Sequence, residues 1–176
     1  GLGALSADTL GSKSTAIGTN ALQNQNFTTA TNALNTALGF HAGYAVTTGL
    51  QNVAVGADAL DALTVGSSNT AVGYQALTAD TQGQNNVAVG HNALATQNFT
   101  TTTNGYNTAV GSQAGLVIST GTQNTLIGGL TGDALTTGAL NVAVGYGALT
   151  SDDLGSKSVA IGHSTLANQN YATATD

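Results

Sequence analysis

The side chains with a natural pKa near neutrality are His41, His91 and His163, and all eight acidic residues are Asp. Such groups could hold a metal, act as general acid and base, or activate a serine. Their spacing supports none of these. His91 and His163 fill the same slot of an internal repeat but stand four units apart. At the separation of stacked strands that is roughly 19 Å, too far for one metal. Other units put Leu2, Thr19, Phe40, Ala57, Tyr74, Ser112, Gly129 and Tyr146 in that slot, a tolerance that reads as solvent exposure. The competing use is to hold a metal or an anion. Asp58 with Asp61, and Asp152 with Asp153, are the close carboxylate pairs. Asp152 repeats the slot of Asp8, and Lys157 that of Lys13, so these read as a surface charge pattern. GGLTGD, from Gly128 to Asp133, has the wrong glycine spacing for a calcium-binding GGxGxD turn and occurs once. No GxSxG elbow, P-loop or HExxH is present. The chain reads as a non-enzyme with no catalytic residue, no metal ligand and no cofactor.

Composition narrows the partners. Charged residues make up 6% of the chain, against about 25% in an ordinary globular protein. A net charge of -6 argues against nucleic acid or an anionic membrane, which call for a basic patch. With no Cys there is neither a disulfide framework nor a thiolate metal site. No apolar run approaches the roughly 20 residues of a membrane span, so no membrane insertion is expected, and no signal peptide is visible.

What must position any functional residue is the repeat. NTAVGYQAL (Asn69 to Leu77) returns as NVAVGHNAL (Asn86 to Leu94), NVAVGADAL (Asn52 to Leu60) and NVAVGYGAL (Asn141 to Leu149). The Gly after the apolar triplet falls at Gly1 and then at Gly18, Gly39, Gly56, Gly73, Gly90, Gly111, Gly128, Gly145 and Gly162. The unit is 17 residues, and every fourth unit is lengthened to 21, giving a superperiod of 72. LGSKSTAIG (Leu10 to Gly18) accordingly returns as LGSKSVAIG (Leu154 to Gly162). Residues 1–176 form a single array, expected to be a section of a longer fibre.

Each slot has a physical reading. Val, Ile or Leu precedes the Gly, Thr or Val stands two residues earlier, and Ala lies between them in eight of nine units, Leu126 being the exception. β-branched residues favour strands, and alternate side chains face opposite ways. Neither face carries charge, so both are expected to be covered. The Val/Ile face is expected to fill each coil and the Ala face to be covered closely from outside, although the reverse assignment is equally open. Gly18, Gly39, Gly56, Gly73, Gly90, Gly111, Gly128, Gly145 and Gly162 are assigned as structural turns. A second Gly seven residues earlier, replaced by Asn32 and Asn104 in the long units, is expected at a second corner with positive φ. The Leu that follows, such as Leu77, is expected to turn inward. Asn35, Asn52, Asn69, Asn86, Asn107, Asn124 and Asn141 open the motif, either as a stacked amide ladder or simply as turn formers. No segment sustains a 3.6-residue period. The fold class predicted is therefore all-β: a parallel β-roll, or β-solenoid, of about ten rungs of 17 to 21 residues. Stacking of neighbouring rungs builds its core.

The insertions NQNFTTATN (Asn24 to Asn32), QNFTTTTN (Gln97 to Asn104) and NQNYATATD (Asn168 to Asp176) each place one aromatic among polar residues. Phe27, Phe99 and Tyr171 are candidate ligand contacts for a glycan. The alternative is that each ring covers the rung edge beneath a longer loop.

The NTAVGYQAL and SVAIG strings resemble two related families over nearly the whole chain. One is the head domain of trimeric autotransporter adhesins, a left-handed parallel β-roll built on NSVAIG-like repeats. The other is the repetitive region of phage-like tail-fibre proteins, to which the 17-residue spacing is closer. The resemblance implies a homotrimer and an extracellular location, on a virion tail fibre or a cell surface. The function expected is a structural fibre segment supporting attachment to a host or surface. Its partners are further copies of itself, as homotrimer or filament, and a surface glycan or host receptor. The alternatives are a glycan-binding module using the aromatic loops and an ice-binding solenoid, which needs a regular Thr file along one face.

Overall fold

The computed structural model describes residues 1–171 and 173. Its strands pair in parallel, and no helix occurs among the described residues, hence none long and apolar enough to cross a membrane. Nine three-residue strands form one sheet in chain order: Thr15–Ile17, Thr36–Leu38, Val53–Val55, Thr70–Val72, Val87–Val89, Thr108–Val110, Thr125–Ile127, Val142–Val144 and Val159–Ile161. Equivalent residues lie side by side, Ala54 beside Ala71, Ala71 beside Ala88, and Ala88 beside Ala109. The chain is thus a β-solenoid of about nine turns, the tenth motif glycine, Gly1, having no triplet ahead of it. At the strand spacing the sheet is about 38 Å long.

The strand faces are the reverse of the first expectation. Ala37, Ala54, Ala71, Ala88, Ala109, Ala143 and Ala160 point inward and are buried, while the β-branched neighbours point out. Ile17 is 57% exposed and Ile161 66%. The interior is narrow because Leu22, Leu60, Leu77, Leu94 and Leu149, from the turn after each Gly, pack against the Ala column and are themselves buried. Each such Leu contributes about 1.5–3 kcal/mol by leaving water. A larger residue in the Ala slot would overfill a coil that also holds that Leu; Leu126 fits because Gly115 and Gly132 stand where the turn Leu would be.

The corners also differ in mechanism from the sequence reading. The motif glycines have φ from 123° to 143°, and a Cβ there would run into the carbonyl of the glycine one rung on, as Gly73 would into Gly90. The glycines seven residues earlier do not have positive φ. Gly49, Gly66, Gly121 and Gly138 are small because the next rung's carbonyl lies where a Cβ would be. Among the described residues the left-handed corners fall instead on twenty-four non-glycine residues, including Gln51, Ser68 and Asn85 before the strands and Leu60, Leu77 and Leu94 after them, and on Gly3, Gly43, Gly115, Gly132 and Gly147. Such a conformation costs roughly 1–2 kcal/mol per non-glycine residue. It recurs at the same slots, which shows that stacking imposes it. Rungs bond to both neighbours through these corners: Gln75 N–H donates to the Ala57 carbonyl (3.0 Å), and Leu77 N–H to that of Ala93 (3.0 Å).

Candidate functional site

Two buried polar columns run inside the rod. In the first, the motif asparagines form a continuous ladder. The backbone N–H groups of Asn52, Asn69, Asn86, Asn107, Asn124 and Asn141 each donate to Oδ1 of the preceding Asn, at 2.8–3.1 Å. Ser158 N–H closes the series on Asn141 Oδ1 at 2.9 Å. Most of the side-chain amides also donate to a glycine carbonyl fourteen residues on, as Asn69 Nδ2 does to Gly83 (2.9 Å). Of the two readings of these asparagines, the stacked ladder is the one present.

The second column lies seven residues after each motif glycine and was not recognised in the sequence. It reads Asp8, Gln25, Val46, Leu63, Asp80, Gln97, Ile118, Leu135, Asp152, Gln169: two polar rungs, then two apolar ones. Asp80 and Gln97 are as fully buried as Leu63 and Ile118. Asp80 accepts from the N–H groups of Gly83 (2.9 Å) and Phe99 (3.2 Å) and from Gln97 Nε2 (2.6 Å). Gln97 Oε1 in turn accepts from Asn107 Nδ2 at 2.8 Å, tying this column to the ladder. Asp8 and Gln25 are bonded to each other in the same way, with Asn35 Nδ2 donating to Gln25 Oε1 (2.8 Å). Gln169 Nε2 donates to Asp152 at 2.7 Å. The surface-charge reading is therefore corrected for Asp152, which is buried. Lys13 and Lys157 are exposed. The signal was available as Asp and Gln recurring together every 72 residues.

The outer surface carries the remaining features. The outward strand residues make a strip of Thr or Val beside Val, Ile or Leu, without a formal charge over nine rungs. Val53, Val87, Val142 and Val159 interrupt its Thr file, so the regular array asked of an ice-binding face is incomplete. Just past the strip, exposed Tyr74 stacks on His91 (centroids 5.7 Å, interplanar angle 9°), and Tyr146 on His163 (5.6 Å, 19°). His91 and His163 are thus exposed. His41 is instead half-buried, stacked on Phe40 and tilted against Tyr44, with Asn20 Nδ2 3.1 Å from its Nε2 and Asp58 3.8 Å from its Nδ1. Asp61 accepts from Thr78 Oγ1 at 2.6 Å. Burial, opposed by that hydrogen bond and helped by the charge of Asp58, holds the Asp61 carboxyl above the ordinary carboxylate range.

Phe27 and Phe99 are only 6% and 5% exposed. Their rings are buried and leave little open face for a ligand. Tyr171, at 39%, does present surface. The described residues contain no enclosed pocket and no group of three or more metal-ligating side chains. Against protein-family models, curated proteins and solved structures, the chain has no match.

Proposed function

We propose that this chain is a structural segment of an extracellular fibre, on a virion tail or a cell surface, working as a homotrimer and performing no catalysis. The observation that carries the reading is the uninterrupted rung-to-rung bonding, backbone and Asn ladder together, along a rod whose outer strip bears no formal charge. Such a ladder transmits tension through many parallel hydrogen bonds and leaves little loop for a protease. The function is mechanical: it extends and spaces an attachment site. Burial of Phe27 and Phe99 weakens the rival glycan-binding reading. The test is the solution mass by light scattering, with electron microscopy for shape. A mass three times 17.2 kDa in a rod-shaped particle is expected; a globular monomer at all concentrations would overturn the reading.

A further inference from the structure

The outward strip requires a cover. With the corner column beside it, the strip measures about 38 Å by 13 Å from the strand rise and spacing. That is a footprint on the order of 500 Å² of mixed Thr and aliphatic surface, comparable in extent to the largest apolar patches that monomers expose. It approaches the roughly 800 Å² per partner of a stable interface, and every further rung enlarges it.

Two observations name the occupant. The strip repeats at every rung, so over its whole length it matches a surface of the same period, and another copy of this chain has that period by construction. The chain also carries a net charge of -6, none of it on the strip, so copies repel one another least through this face.

Such a surface has a defect. Thr70, Val72, Val87 and Val89 look alike to a partner, and sliding one rung along costs little where successive residues are equivalent. The corner column breaks that degeneracy. Its exposed rings are Phe40 and, further on, the pairs Tyr74–His91 and Tyr146–His163, the pairs lying 72 residues apart and separated by Ser112 and Gly129. A slip of one, two or three rungs sets a ring pair against a different neighbour. A slip of four restores the pattern but uncovers four rungs of strip at each end of this segment.

Resting on the homotrimer reading, we propose that copies of this chain meet along the outward strip in axial register, and that the Tyr–His pairs at its rim set that register. The test has three arms on the full chain. Val72→Lys with Val89→Lys should reduce the light-scattering mass to that of a monomer while the circular dichroism stays unchanged. An unchanged multimer would show that the strip is not the interface. A wild type that is itself monomeric would instead sink the fibre reading, and this proposal with it. Because the chain has no cysteine, exposed Ser68→Cys takes a single spin label for distance measurement between copies. One narrow distance is expected. Replacing Tyr74, His91, Tyr146 and His163 by Ser should add longer distances from copies displaced by whole rungs. A narrow distance that survives the replacement, or a broad one already in the wild type, would overturn the proposal.

Discussion

The rungs that carry Val46 and Leu63 and the rungs that carry Asp80 and Gln97 put opposite chemistry at one interior slot, with equal burial. In the apolar pair the slot adds hydrophobic contact and the unit keeps its 17-residue length. In the polar pair Asp80 collects three donors, and Gln97 supplies the acceptor for Asn107 Nδ2 that Asn52 Oδ1 supplies for Asn69. This clasp stands where the following coil is four residues longer. A buried polar pair is tolerable when every donor finds an acceptor. Here it repairs the ladder at the point where extra chain would interrupt it.

The comparison can be broken in order of severity. The Ala slot is common to both kinds of rung, so Ala71→Phe should cost the most. A whole ring in the closed coil is expected to exceed the usual overpacking cost and lower stability by more than about 4 kcal/mol, and an unchanged melting temperature would show that the interior is not close-packed. Asp80→Ala leaves Gly83 N–H, Phe99 N–H and the Gln97 amide without an acceptor, for an expected loss of about 4 kcal/mol in chemical denaturation. Asn69→Ala strands the Asn86 donors and the Gly83 carbonyl, all neutral, and should cost about 3 kcal/mol. Equal losses for the two would erase the special status of the clasp.

A deletion sharpens the point. Removing Thr100 to Thr103 returns the long unit to 17 residues but puts Gln97 and Asn104 in the slots of Leu63 and Gly66. The deletion alone should lose about 2 kcal/mol, from a buried amide in the wrong register and a Cβ against the next rung. Adding Gln97→Leu and Asn104→Gly should recover most of it, and failure to recover would mean that the loop itself stabilises the rod.

The smallest effect belongs to Asp61. Its carboxyl titrates higher in the fold than in the unfolded chain, so between the two pKa values the folded state binds more protons. Stability then falls as pH rises from the ordinary carboxylate value through the raised one. Asp61→Asn should flatten that slope in melts across the acid range, and an unaltered profile would discount the burial of this group.

Much of the architecture was legible from residue types alone. Short β-branched triplets, a glycine after each one and a fixed interval lead directly to stacked parallel coils. The inward Leu was also legible, since an apolar residue just past a turn has nowhere else to go. Positive φ at Leu60 or Ser68 was not, because those residues prefer other conformations when isolated and adopt this one only under the constraint of neighbouring rungs. The buried Asp–Gln column was missed because carboxylates are ordinarily exposed. Only the neighbouring rung supplies the donors that make burial tolerable. Phe27 and Phe99 looked like candidate contacts because their neighbours are polar, yet the rings are buried.

By itself the sequence determined the β class, the 17- and 21-residue coils, the 72-residue superperiod and the turns at the motif glycines. These follow from local preference and repetition, which need no knowledge of what lies across the coil. Only the tertiary structure decided which strand face is the core. Alternation separates two faces but ranks them by polarity, and here neither is charged. Volume made the choice: Leu from the opposite corner leaves room for Ala and none for Val or Ile, so the larger side chains stand outside along a continuous uncharged strip.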